Sequence, residues 1–180
     1  MTVTYRLGPA AGRLCIRTGR AGIAARAGHD LLIEVTSWSA SVDMPADDDV
    51  AAATIGAEFD LGSLAVREGT GGARPLTSAD RADIERTMRK ILDSGTAMFA
   101  SSCVIPSHAG GAIEGTLTLN GRTQPVRLRV QAPAPGRYRG SAAVAQTAFG
   151  INPYTGFFGA LKGKDEVTVE FDVDLGKAVA

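Results

Sequence analysis

The chain has 180 residues with 19 Lys+Arg against 19 Asp+Glu, which suits a single domain over residues 1–180 with a sizeable core. Its formal net charge of zero argues against a nucleic-acid binder, which would carry a basic excess. No apolar run approaches the roughly 20 residues of a membrane-spanning helix, and the opening MTVTYRLGPAAGRLCIRTGR lacks the basic segment and apolar run of a secretory signal, so the expected compartment is the cytoplasm.

Most of the chain has a period of two, the mark of half-buried strands. Leu14 and Ile16 alternate with Arg13, Cys15 and Arg17. The run LLIEVTSWSASV changes phase near Ser37, which predicts a bulge or bend within one long strand. ATIGAEFDL puts Ile55, Ala57, Phe59 and Leu61 on one face. One segment breaks the pattern: TSADRADIERTMRKILDSG has Thr77 or Ser78 as N-cap, a stripe of Ile84, Met88, Ile91 and Leu92, and Gly95 as a stop, which predicts an amphipathic helix near Ser78 to Asp93. MFASSCVI then offers Phe99, Ser101, Cys103 and Ile105 to one face. AIEGTLTL and PVRLRV follow, with Ile113, Gly115, Leu117 and Leu119, then Val126, Leu128 and Val130, as their apolar sets. The Asn-Gly pair between them is a hairpin signal. RYRGSAAVAQ is weaker, with Tyr138, Ala142 and Val144 aligned. The closing run sets Val167, Val169, Phe171, Val173 and Leu175 against Thr168, Glu170, Asp172 and Asp174.

Antiparallel strands of this kind need their edges closed or covered. The expected fold is all-β, an antiparallel β-barrel of about eight strands with one amphipathic α-helix, a size that either fills itself or holds one small ligand. Small residues on the inner phase, Ala57, Ser101, Gly115, Gly140 and Ala142, favour a cavity. The competing reading is that Trp38, Phe59, Phe99 and Phe171 fill the same volume.

Four segments resemble one family, the YceI-like or polyisoprenoid-binding domain. GTLTLNGRTQPVRLRV, Gly115 to Val130, is similar to the family's strand, N-G turn, Thr, Pro and alternating strand. TAFGI, Thr147 to Ile151, resembles its S-D-F-G-I segment, with Ala148 in place of the usual Asp. Asp165, Glu166 and Val167 resemble the start of its last strand, and the helix followed by AMFASSCVI resembles its helix and next strand. The first hairpin, AGHDLLIEVTSWSASV, departs from the family pattern, as does Gly95-Thr96-Ala97, where a Pro is usual. The resemblance spans roughly Tyr5 to Leu175. It implies a lipocalin-like barrel whose apolar interior holds a long isoprenoid or other amphiphilic lipid.

The candidate ligand-binding residues are Trp38, Ala57, Phe59, Phe99, Gly115, Ala142, Phe157, Phe158 and Phe171. Tyr154, Phe157 and Phe158 sit in a Gly-flanked loop that would plug one end of a filled barrel or line the mouth of a hollow one. His29, Lys162 and Lys164 are candidates for a lipid headgroup, the lysines for an anionic one. The partner so implied is an amphiphilic lipid such as an isoprenoid quinone or a polyprenyl phosphate, held by a carrier, buffer or sensor. An exposed strand edge would permit a homodimer. His29-Asp30 invites an enzymatic reading, but adjacent strand residues face opposite ways, and Ser101, Ser102 and Cys103 lack a nucleophile elbow. The chain is therefore not expected to be an enzyme; a non-binding structural or interaction barrel is the main alternative. His108 lies in a Gly-rich turn, and no cofactor or metal is expected. In the assigned phases Cys15 points outward and Cys103 inward. Thiol titration of denatured, unreduced protein should therefore find two free groups; finding none would contradict both this phasing and the expected compartment.

Overall fold

Alternation along the chain is converted into strands almost residue by residue. The computed structural model describes residues 1–93, 95–156 and 159–179. In chain order they form β1 (Thr2–Leu7), β2 (Gly12–Arg17), β3 (Arg20–Ala21), β4 (Asp30–Val35), β5 (Trp38–Pro45), β6 (Thr54–Asp60), β7 (Leu64–Thr70), α1 (Ser78–Leu92), β8 (Thr96–Ser107), β9 (Gly110–Leu119), β10 (Arg122–Ala134), β11 (Arg137–Ala145), β12 (Thr155–Gly156), β13 (Leu161–Gly163) and β14 (Glu166–Asp174). Eleven strands make one antiparallel sheet in the order β1-β5-β6-β8-β9-β10-β11-β14-β2-β4-β7, and β12, β13 and β3 make a small second sheet. Among the described residues no helix is long and apolar enough to cross a membrane.

The sheet curls because β4 and β5, near its opposite ends, are two halves of one bent strand. The corner is the phase change expected at Ser37. Ser63 pins it: its carbonyl accepts from the Thr36 N–H at 3.3 Å and its hydroxyl accepts from the Ser37 N–H at 3.0 Å. The partner strand turns at the same place, between β6 and β7. These two corners supply two of the three strands beyond the expected eight or so; the third is β1, which has no counterpart among the predicted elements. The expected Asn-Gly hairpin joins β9 to β10, with Asn120 and Gly121 both at positive φ, 52° and 69°, as a tight two-residue hairpin turn demands.

Both sheet edges are covered. The Val66 N–H of β7 donates to the Glu85 carboxylate of α1 at 2.9 Å, and Arg81 donates to the carbonyls of Val66 and Arg67. At the other edge Arg6 of β1 exchanges two backbone hydrogen bonds with Val179. Edge pairing with a second chain, the route to the homodimer considered above, is blocked at these points.

The helix starts with a capping box, the Thr77 hydroxyl accepting from the Asp80 N–H and the Asp80 carboxylate from the Thr77 N–H. Ile84, Met88 and Leu92 pack against Leu14, Ile33, Val35, Leu64 and Val66, on the inner face of β2, β4 and β7. Ile91 does not belong to this stripe; it is 38% exposed. The left-handed stop is Asp93 rather than Gly95.

Cys103 corrects the assigned phase. A register shift between Ser101 and Cys103 turns the strand over, so Cys103 is exposed and Val104 is buried. The Ser101 hydroxyl inside the bulge accepts from the Ile55 N–H at 2.8 Å. Cys15 does sit on the outer phase, yet it is buried among Arg13, Arg17, Glu34 and Glu170, and burial pushes its thiol pKa up. Both cysteines are free.

Several carboxylates are held below their ordinary range. The Thr77 N–H and hydroxyl, with Arg74, bring Asp80 down to about 2. The Thr147 hydroxyl and N–H lower Asp165, and Arg137 and Arg139 lower Asp172. A carboxyl depressed in the folded state stabilises the fold above its unfolded pKa, and that contribution disappears as pH falls through the folded value. The melting temperature should thus be level above about pH 5 and decline from about pH 4 toward pH 2. A midpoint that holds down to pH 2 would contradict these assignments.

Candidate functional site

The inner faces of the curled sheet enclose one apolar cavity of about 310 Å³, within the range of roughly 300–1,000 Å³ typical of small-molecule sites. Its wall is built from the predicted phases: Leu14 and Ile16 from β2, Ile55, Ala57 and Phe59 from β6, Val126, Leu128 and Val130 from β10, and Val167 to Val173 in alternation from β14. None of its lining residues is charged, and the only polar side chains among them are those of Trp38 and Tyr138. Along β9 the wall runs from Gly110 to Leu119, which at the usual strand rise and barrel tilt is roughly 23 Å of depth.

One end of the cavity is closed. Val144, Leu117, Leu119 and Val167 line this end, and behind them Phe149 and Ile151 form a buried cluster with Val144 that also packs against Leu92 of α1. Phe149 is only 2% exposed. The turn that carries it is held from three sides. Asn120 Nδ2 donates to the Phe149 carbonyl at 3.0 Å, Gln124 Nε2 to the Ala148 carbonyl at 3.1 Å, and the Thr147 hydroxyl to the Asp165 carboxylate at 2.7 Å. The TAFGI segment is thus a plug, and the Asn-Gly turn and Asp165 are its anchors.

The other end is open. Two large apolar residues of the wall, Val50 and Ile105, are 38% and 40% exposed, and both lie there. A shallower vestibule continues outward, lined by Tyr5, Met44, Asp48, Val50, Gly136, Tyr138, Leu175 and Gly176. Met44, Val50, Tyr138 and Leu175 line both spaces, so the vestibule and the cavity are continuous.

Of the candidate residues, Trp38, Ala57, Phe59, Phe99, Ala142 and Phe171 line the cavity together. Gly115 does not. A Cβ there would stand 2.7 Å from Phe99 Cζ, and one at Gly140 would stand 2.3 Å from Phe171 Cε1. These glycines are seats for aromatic rings lying across the strands, a known device of curved sheets. The space they leave is taken by protein. Phe157 and Phe158 lie outside the described residues. Tyr154, Lys162 and Lys164 stand apart from the mouth, in and around the small sheet where β13 pairs with β3; Tyr154 is 54% exposed. His29 does not reach the cavity either: its Nε2 lies 2.6 Å from the Arg74 carbonyl, so the ring ties down the loop before α1. Among the described residues no cluster of three or more His, Cys, Asp or Glu could hold a metal ion.

Sequence reasoning missed the mouth. Neither Asp48 nor Tyr5 was given a role. Tyr138 was placed on the inner face, yet nothing in its strand pattern marks it as a rim residue.

The profile of the YceI-like domain matches residues 9–175. Among solved structures, BcnA of Burkholderia cenocepacia is similar over 89% of this chain and 94% of its own, at 16% identity and a TM-score of 0.57. A polyisoprenoid binding domain from Saccharophagus degradans is similar over 96% and 97%, at 12% identity and a TM-score of 0.53. The Campylobacter jejuni YCEI protein is similar over 79% and 82%, at 12% identity and a TM-score of 0.55. At such identities the likeness is one of fold. No curated protein sequence matches the chain.

Because the Phe171 ring and the Arg129 carbonyl already occupy the place of a side chain at position 140, Gly140→Ala should destabilise the barrel by about 1–3 kcal/mol in denaturant titration. A neutral substitution would show that the ring does not sit over Gly140.

Proposed function

This chain belongs to the YceI-like domain family, and we propose that its barrel binds the apolar tail of a long isoprenoid or similar amphiphilic lipid, acting as a carrier, buffer or sensor. One observation carries the reading: a cavity with a plugged floor, an uncharged wall and a single open end. Such a space is suited to a flexible apolar chain that enters tail first and leaves its polar end at the rim. That the Saccharophagus degradans neighbour is a polyisoprenoid binding domain points the same way.

The physics favours length. Each buried methylene contributes about 0.8 kcal/mol before the costs of ordering the chain. Affinity should rise with chain length until the tail reaches Leu117, Leu119 and Val144 at the closed end, then level off. Ala57 and Ala142 leave the bore open at mid-depth, while Trp38, Phe59, Phe99 and Phe171 provide flat apolar wall. The alternative of a solid, non-binding barrel requires those aromatics to fill the bore, and about 310 Å³ of open space weighs against it. An enzymatic reading would need a polar group facing the bound chain. His29, the best candidate in the sequence, is engaged with the Arg74 carbonyl instead.

Native mass spectrometry of protein purified without detergent, before and after incubation with isoprenoid quinones and polyprenols, tests the proposal. Wild type should carry or take up one lipid. Ala142→Trp should block uptake while circular dichroism shows the fold retained, given an overpacking cost of about 1–3 kcal/mol. A wild type that takes up nothing would overturn the reading, and an Ala142→Trp variant that loads normally would move the tail out of this cavity.

A further inference from the structure

The residues of the mouth carry information that the tail cavity lacks. We infer that the rim selects lipids whose polar end is uncharged or cationic and rejects those ending in a phosphate or other anion. This inference rests on the tail-binding reading above.

The vestibule is where a headgroup must lie, because it shares Met44, Val50, Tyr138 and Leu175 with the cavity and the far end is plugged. The single charged residue among those lining it is Asp48. Asp48 has φ 57°, a left-handed conformation that Asp and Asn tolerate better than most residues, and its N–H donates to the Pro45 carbonyl at 3.0 Å. The turn therefore fixes the Asp48 backbone at the rim, with its side chain exposed there. The nearest cations in sequence do not line the opening: Arg137 is bound to Asp172, and Lys177 lies past the Leu175–Gly176 rim. No Lys or Arg lines either the cavity or the vestibule. An anionic headgroup at this position would meet a like charge with no counter-charge and would shed part of its hydration, both unfavourable.

Two groups at the rim suit the opposite kind of headgroup. Tyr5 and Tyr138 face the vestibule, and neither phenol takes part in a side-chain hydrogen bond among the described residues. Each can donate to a carbonyl or hydroxyl oxygen and accept from a hydroxyl or ammonium. The lysines expected to receive an anionic headgroup, Lys162 and Lys164, are not at this opening.

The test uses three ligands with one tail: farnesol, farnesylamine and farnesyl phosphate, each titrated by displacement of a fluorescent apolar probe in detergent-free buffer. Wild type at low salt should bind the alcohol and the amine about tenfold more tightly than the phosphate. The discrimination should shrink at 1 M salt, where the screening length falls to about 3 Å. It should also shrink in Asp48→Asn, which keeps the left-handed turn and removes the charge. If the phosphate binds as tightly as the alcohol, the inference is overturned while tail binding stands. If discrimination persists unchanged in Asp48→Asn and in high salt, Asp48 is not its source and the inference is likewise overturned. If none of the three displaces the probe, the tail-binding reading itself fails.

Discussion

A bend of two residues, Thr36 and Ser37, organises this molecule. It places one strand near both ends of the same sheet, so a chain of simple hairpins has to curl until its inner faces meet around a common space. Ser63 holds the bend through its carbonyl and its hydroxyl, and the turn from β6 to β7 follows it. The sheet still ends in two edges. One is covered by Glu85 and Arg81 of α1, the other by Val179. A curled sheet with guarded edges gives an interior without the free hydrogen-bonding groups that drive strand addition.

The interior is a cavity because its two ends are treated differently. At the floor, the helix and the Phe149 turn bury apolar surface against the strands, and hydrogen bonds from Asn120, Gln124 and Thr147 fix that turn in place. At the mouth, Val50 and Ile105 of the wall are exposed and the vestibule opens outward. The asymmetry gives the space a direction. The vestibule residues Tyr5, Asp48 and Tyr138 lie at the open end.

Most strand faces were legible in the sequence, because an alternating face declares itself locally, although β1 and β7 were not read as strands. The apolar sets of β2, β6, β9, β10, β11 and β14 all face the interior as read. What failed was whatever depends on contacts across strands. Cys103 was assigned inward because a bulge at Ser102 is invisible to a count by twos. Gly115 was read as open space because its occupant, the Phe99 ring, comes from the neighbouring strand. Lys162, Lys164 and Tyr154 were placed at a mouth because they flank a strand, but which barrel end a loop reaches is set by topology. The vestibule is assembled from four separate segments of the chain, and only the finished barrel brings them together.

The chain's single tryptophan, Trp38, lines the cavity and so reports on its contents without any label. Titrating the protein with an isoprenoid quinone, whose ring and tail differ in their effect on indole emission, and repeating the titration with the tailless quinone, measures directly whether a chain enters. Saturable quenching or a spectral shift at one equivalent of the tailed quinone, absent with the tailless one, is the result expected of a tail-binding barrel. Emission that changes only linearly with added quinone, and equally for both compounds, would mean that nothing occupies the space beside Trp38.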